Sequence, residues 1–161
     1  VSPRHVLTAK HVVAACSPFE PWKVTVETHT GAKVEAVVEK LHEHVDAARL
    51  VVIGVGEPFR AWARVAPWGP EDGQWICFSA HDIHTYLFQC GFVTQVDSGG
   101  LFQLGFRVVR GNSGGPIFRN GQLVGLLVAG TMHPDRQWVG IALSVDAFRD
   151  LIPPVEYEVT L

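Results

Sequence analysis

At 161 residues the chain is long enough for one substantial core and short for two independent domains. Apolar residues make up 47% and charged residues 18%, which excludes a disordered chain. A net charge of −3 with no basic run gives no ground for a nucleic-acid partner, and no apolar stretch approaches the roughly 20 residues of a membrane span, so neither nucleic acid nor membrane is expected.

The chain reads as strand and turn almost throughout, an all-β pattern. Val6-Leu7-Thr8-Ala9-Lys10-His11-Val12-Val13 is a short apolar strand with a histidine at its end. Residues 22–28 alternate apolar and polar, as a half-buried strand does, and after Thr30-Gly31 the alternation resumes at Val34, Ala36 and Val38. Asp46 opens the next apolar strand, and the continuous run 50–55 fits burial on both sides. Pro67-Trp68-Gly69-Pro70-Glu71-Asp72-Gly73 is the densest cluster of breakers and the expected connection between two lobes, about 1–66 and 74–154, of a single domain spanning 1–154. Strands are expected at 74–79, 86–96 and 102–109. Asn120-Gly121, between the apolar runs 116–118 and 123–128, is a strong hairpin signal. Only the end reads as helix: Ser144 can cap it, Asp146 suits its N-terminus, Val145, Phe148, Leu151 and Ile152 share a face, and Pro153-Pro154 stops it. Residues 155–161 are left as a C-terminal extension or linker.

The chemistry concentrates in Gly111-Asn112-Ser113-Gly114-Gly115-Pro116. Glycines around a single hydroxyl let the backbone take dihedrals that side chains resist and let a substrate carbonyl approach. The N–H groups of Gly111 and Ser113 can point at one spot beside the Ser113 oxygen, where an oxyanion forms during attack on an acyl carbon. A serine needs a base, because an isolated hydroxyl is a weak nucleophile at neutral pH. His11 supplies one upstream, and Asp46 follows it, ahead of Ala47-Ala48-Arg49-Leu50. Asp72, Asp82 and Asp97 are weaker rivals, since none begins an apolar strand.

With Thr8-Ala9-Lys10-His11, Asp46-Ala47-Ala48-Arg49-Leu50 and the serine hexapeptide in that order, the sequence resembles the trypsin-like, chymotrypsin-fold serine peptidases. The resemblance implies two packed antiparallel barrels of the six-stranded type and a short C-terminal helix, with the site in the cleft between them. It implies Ser113 as nucleophile, His11 as base and then acid, Asp46 as the group that orients His11, and the Gly111 and Ser113 amides as oxyanion hole. Asn112 stands where many animal members carry an aspartate that pairs with a freshly cut N-terminus, so the motif style is closer to HtrA-like and bacterial members. The family has a further strand before the histidine segment, of which this chain has almost none, so the first barrel is expected to lack its N-terminal strand. A regulatory domain or a partner chain would complete it. By the same resemblance, the residue six before the serine, Arg107, lies at the base of the substrate pocket, with Val128, Ala129 and Gly130 along its wall. An arginine there disfavours cleavage after Arg or Lys: an acidic side chain is favoured if Arg107 faces the pocket, an apolar one if it faces solvent.

The reading is therefore a serine endopeptidase acting on protein or peptide substrates, without metal or organic cofactor, as the effector domain of a larger protein. The rival from another class is a catalytically silent peptide-binding module of the same fold. Gly111 to Gly115 also fits the Gly-x-Ser-x-Gly elbow of α/β-hydrolases, with His133 and Asp135 as late partners, but the alternating helices of that fold are missing. His42/His44 and His81/His84 have no ligand set at zinc-like spacing and read as solvated or core histidines. Gly54-Val55-Gly56 has Phe59 where a dinucleotide fingerprint needs its third glycine, and reads as a strand-end turn. Cys16, Cys77 and Cys90 are odd in number, and Val12 replaces the cysteine that follows the histidine in secreted animal relatives. A Cys77–Cys90 bridge is conceivable between neighbouring strands, but buried thiols are preferred, which places the protein in a reducing compartment, the cytoplasm.

Overall fold

The computed structural model describes residues 2–14, 23–28, 30–54, 59, 61–81, 86–132 and 138–154. Cys16, Trp22, Val55, Gly56, Asp82, His84, His133, Asp135, the 155–161 extension and the side chain of His81 lie outside the described residues.

Antiparallel strands β1 (His5–Thr8), β2 (Lys23–Glu27), β3 (Lys33–Leu41) and β4 (Ala48–Val52) form one sheet in the order β1-β4-β3-β2. A helix of five residues, α1 (Lys10–Ala14), follows β1. The second sheet is built from β5 (Arg64–Val65), β6 (Trp75–His81), β7 (Tyr86–Val96), β8 (Leu101–Arg107), β9 (Pro116–Arg119), β10 (Gln122–Met132) and β11 (Trp138–Ser144). Its order is β11-β8-β7-β6-β9-β10-β5, and pairing of β10 with β11 closes six of these strands into a barrel. The fold is all-β with two lobes, the chymotrypsin-like architecture. Among the described residues the first lobe is an open sheet of four strands edged by β1 and β2, so it falls further short of a closed barrel than the single missing strand expected.

Three apolar clusters follow from side-chain alternation. Ile76, Phe78, Val93, Phe102, Leu104, Ile117, Val124 and Leu127 fill the barrel. Val13, Ala36, Ala48, Leu50 and Val52 form the core of the first lobe. The third joins the lobes: Leu7, Val45 and Ala47 meet Leu123, Leu126 and Leu143, with Val145, Phe148 and Leu151 completing it. Strand β10 serves two of them, since Val124 and Leu127 point into the barrel while Leu123 and Leu126 point out of it.

Several expectations are corrected. Residues 50–55 are not a strand buried on both faces: β4 ends at Val52 and alternates, with Ala48, Leu50 and Val52 buried between half-buried Arg49 and Val51. The lobe crossing precedes Pro67, because β5 at Arg64–Val65 already pairs with β10. Strand β11 was not expected. Gly140 breaks its apolar pattern, yet a Cβ there would lie 2.6 Å from Leu104 and 2.8 Å from Leu127, so the barrel requires that glycine. The C-terminal helix, Val145–Leu151, is 3₁₀ rather than α and is kinked at Phe148, whose ring is fully buried. Ser144 caps it as expected, accepting the Asp146 N–H. Cys77 and Cys90 are not free thiols. They face one another across β6 and β7 with Cα atoms 4.0 Å apart, the closest type of cross-strand position, and form a disulfide.

Candidate active site

Helix α1 places His11 one turn beyond the strand that the sequence led into it. Val13 is 3% exposed and anchors the helix in the first-lobe core. At about 100° per residue, His11 then faces the other way, and its side chain is half exposed. Asp46 lies in the loop between β3 and β4 and binds His11 twice. Its Oδ1 accepts the His11 backbone N–H at 2.9 Å, and Oδ2 lies 2.5 Å from Nδ1. An ionised carboxylate only accepts hydrogen bonds, so Nδ1 carries the ring proton and Nε2 keeps a free lone pair.

The serine loop joins β8 to β9. Gly111 and Gly114 take φ of +93° and +82°, a region that only glycine visits readily. The Gly114 N–H donates to the Leu127 carbonyl at 2.7 Å and the Leu127 N–H to the Gly115 carbonyl at 2.9 Å, which ties the loop to β10. A Cβ on Gly114 would lie 2.3 Å from Thr8 Oγ1 and 3.2 Å from the Ala9 nitrogen. The residues around Ser113 thus rest directly on the residues leading into His11. Asn112 is 1% exposed; its Oδ1 accepts the Val109 N–H at 3.0 Å, while its Nδ2 has no partner among the described residues. Among those residues the N–H groups of Gly111 and Ser113 have no protein acceptor either.

His11, Gly111 and Ser113 line one cavity of about 900 Å³. Arg107, Ala129 and Gly130 line it too, whereas Val128 does not: it packs into the cluster between the lobes, at a register shift between Leu127 and Ala129. Sequence reasoning missed Arg110 and Trp138, which also line the cavity. Adjacency of Arg110 to Gly111 was a usable signal for the first; Trp138 is brought in by the unexpected strand β11. The described lining holds two arginines and no carboxylate, and neither arginine has an acidic partner among the described residues. Asp46 stands behind His11 and outside the lining. No group of three or more metal-ligating side chains occurs among the described residues.

Two β lobes, with a histidine–aspartate pair on one and a glycine-bounded serine on the other, define a class of hydrolase fold, and known structures share it. The MamO protease domain from Magnetospirillum magneticum, in its apo form, superposes with a TM-score of 0.70 at 21% identity, over 92% of this chain and 82% of that one. The Rv3671c protease from M. tuberculosis, active form, gives 0.75 at 22% identity over 94% and 69%. A serine endoprotease from Yersinia pestis gives 0.75 at 19% identity over 93% of this chain, which spans about half (53%) of that one. No curated protein matches the sequence. Residues 1–126 match the trypsin-like peptidase domain, and the chain belongs to that family.

Proposed function

We propose that this domain is a serine endopeptidase in which Ser113 attacks the peptide carbonyl. His11 Nε2 takes the Ser113 proton as the C–O bond forms, and the carbonyl oxygen becomes an oxyanion between the Gly111 and Ser113 N–H groups. Collapse of that intermediate breaks the C–N bond, and His11 returns the proton to the leaving amine. Water, deprotonated by His11, then hydrolyses the acyl-serine and restores the enzyme. Asp46 fixes the tautomer and stabilises the imidazolium. The observation that carries the reading is the His11–Asp46 pair, with Nδ1 bound and Nε2 free, beside a cavity shared by His11 and Ser113.

The preferred residue before the cut is non-basic. Arg107 and Arg110 both line the cavity and no carboxylate balances them among the described residues, so of the two open preferences the acidic one is favoured. Protein or peptide is the substrate, and the chemistry draws on side chains and water alone. Among the described residues β1 and β2 are the edges of the first sheet, where a regulatory segment or partner chain would add strands, consistent with an effector domain of a larger protein.

A fluorophosphonate probe followed by intact-mass measurement tests the reading. One adduct is expected, absent from Ser113→Ala and His11→Ala. An unlabelled, folded wild type would favour the silent binding module, which the open first lobe also suits. Peptides varied at the residue before the cut are expected to be cleaved after Glu or Asp in preference to Gln or Asn; cleavage mainly after Arg or Lys would refute the specificity.

A further inference from the structure

The loop that carries Asp46 is closed by a side chain the mechanism does not use. His42 follows β3 and starts this loop, and its Nδ1 accepts two backbone N–H groups, from His44 and Val45, each at 3.1 Å. The His42 N–H donates to the Ala47 carbonyl at 2.9 Å, and the Ala47 N–H to the Val45 carbonyl at 2.9 Å. Four bonds thus enclose Asp46, and two of them end on one ring nitrogen. A nitrogen that accepts two N–H groups carries no proton, so the ring hydrogen of neutral His42 sits on Nε2. There it faces Asp150 Oδ1 at 3.2 Å, while Asp150 Oδ2 takes Lys40 Nζ at 2.6 Å. Asp150 belongs to the 3₁₀ helix packed against the barrel, so a group of the second lobe lies against the ring that shapes the aspartate loop of the first.

We infer that His42 is a positioning residue for Asp46, held in its Nε2–H form by Asp150, and that protonating it releases the aspartate loop. The inference rests on the peptidase reading for its catalytic consequence. Protonation at Nδ1 would turn the acceptor of the His44 and Val45 amides into a donor facing two donors. The charged groups around the ring are Asp150 on the 3₁₀ helix, Lys40 on β3, and Lys10 on α1 with Nζ 2.9 Å from the His42 carbonyl. His44, with its ring 6.2 Å away, and Glu43 beside His44 lie on the exposed side, and Asp46 is on the loop itself.

Two substitutions separate the halves of the device. His42→Asn keeps an oxygen where Nδ1 accepts the amides, in the manner of an Asx turn, but does not titrate. His42→Gln keeps reach towards Asp150 and loses the acceptor beside the loop. Near pH 8, His42 is expected to show the Nε2–H tautomer in nitrogen NMR, and the wild type a downfield proton for the His11–Asp46 hydrogen bond. That proton signal should vanish in His42→Gln and persist in His42→Asn. Fluorophosphonate labelling should fall roughly 10–100-fold in His42→Gln and be rescued in His42→Asn. On acidification, protonation of His42 seen by nitrogen NMR should coincide with loss of the downfield signal in the wild type, while His42→Asn keeps that signal. An Nδ1–H tautomer of His42, or a His42→Gln protein that keeps the downfield signal, overturns the inference. If the signal behaves as stated while the wild type takes no label, the clamp stands and the peptidase reading fails.

Discussion

Asp46 spends both carboxylate oxygens on His11, one on the backbone N–H and one on the ring, so it fixes where the imidazole sits and which nitrogen is free. Asp46→Asn keeps the shape but offers an amide that can turn its NH₂ towards Nδ1. That would move the ring proton to Nε2 and leave the proposed nucleophile, Ser113, without a base. The expected result is a fall in kcat of about 10⁴-fold with little change in KM. A loss below tenfold would show that the pair is structural. Gly114 poses a different residue-scale demand. It combines φ of +82° with a Cβ position 2.3 Å from Thr8 Oγ1 and 3.2 Å from a backbone nitrogen, so threonine rotation relieves only one of the two contacts. Gly114→Ala should cost roughly 1–3 kcal/mol and pull the serine loop off the histidine segment. Urea unfolding reads the first effect and fluorophosphonate labelling the second, and a variant unchanged in both would disprove the contact.

At the scale of elements, the hairpin of β6 and β7 carries the main disagreement between pattern and structure. Both strands were legible, because Gln74 to Ser79 and Tyr86 to Val96 are apolar runs, but register was not. A shift of one residue would turn Cys77 and Cys90 to opposite faces, and only the pairing of Cys77 with Cys90 brings the sulfurs together. With a sequence separation of 13, the bridge should contribute roughly 2–3 kcal/mol. Alkylation of the unfolded protein should reveal two more thiols with reductant than without, and Cys77→Ser should lower the urea midpoint accordingly; equal alkylation would show that the thiols are free. The bridge also removes the ground on which a reducing compartment was favoured. The same division between local and distant information runs through the site. Asn120-Gly121 announced its hairpin because both residues take positive φ locally, at 51° and 75°. His11, Asp46 and Ser113 stand out as candidates because their neighbours are motifs. Trp138 and the His42–Asp150 pair do not, since a strand containing Gly140 and a contact across 108 positions (150 − 42) leave no short-range trace.

For the whole molecule, the question is what keeps two lobes in the one arrangement that joins His11 to Ser113. Apolar packing of Leu7, Val45 and Ala47 against β10 and the 3₁₀ helix supplies the non-directional part. Direction comes from polar contacts of the same helix. Lys40 reaches Asp150 from the first lobe and Arg49 Nη1 donates to the Leu151 carbonyl at 3.1 Å, while Asp146 ties the helix to its own lobe by accepting the Gly69 N–H at 2.7 Å and pairing with Arg149. The Lys40 hydrogen bond, with His42 adding to it, holds the Asp150 carboxyl below its ordinary 3.8 against a smaller opposing effect of burial. Burial works to raise Asp146, but hydrogen bonds from Arg149, Gly69 and Ser144 together outweigh it, and this carboxyl too lies below 3.8. A carboxyl with a folded pKa below its unfolded one contributes stability that is complete above the unfolded value and is lost as pH falls through the folded value. The protein should therefore weaken in acid, below about pH 4, at the junction of its lobes through Asp150 and within the second lobe through Asp146. Both carboxylates are half exposed, so each contributes at most about 1 kcal/mol. Asp146→Asn and Asp150→Asn should each be less stable than wild type at pH 7, and the difference should shrink as the pH is lowered towards 3, as urea midpoints across that range would show. A constant difference across the range would mean that these side chains act by shape rather than charge, and the directional half of the lobe junction would then lie elsewhere.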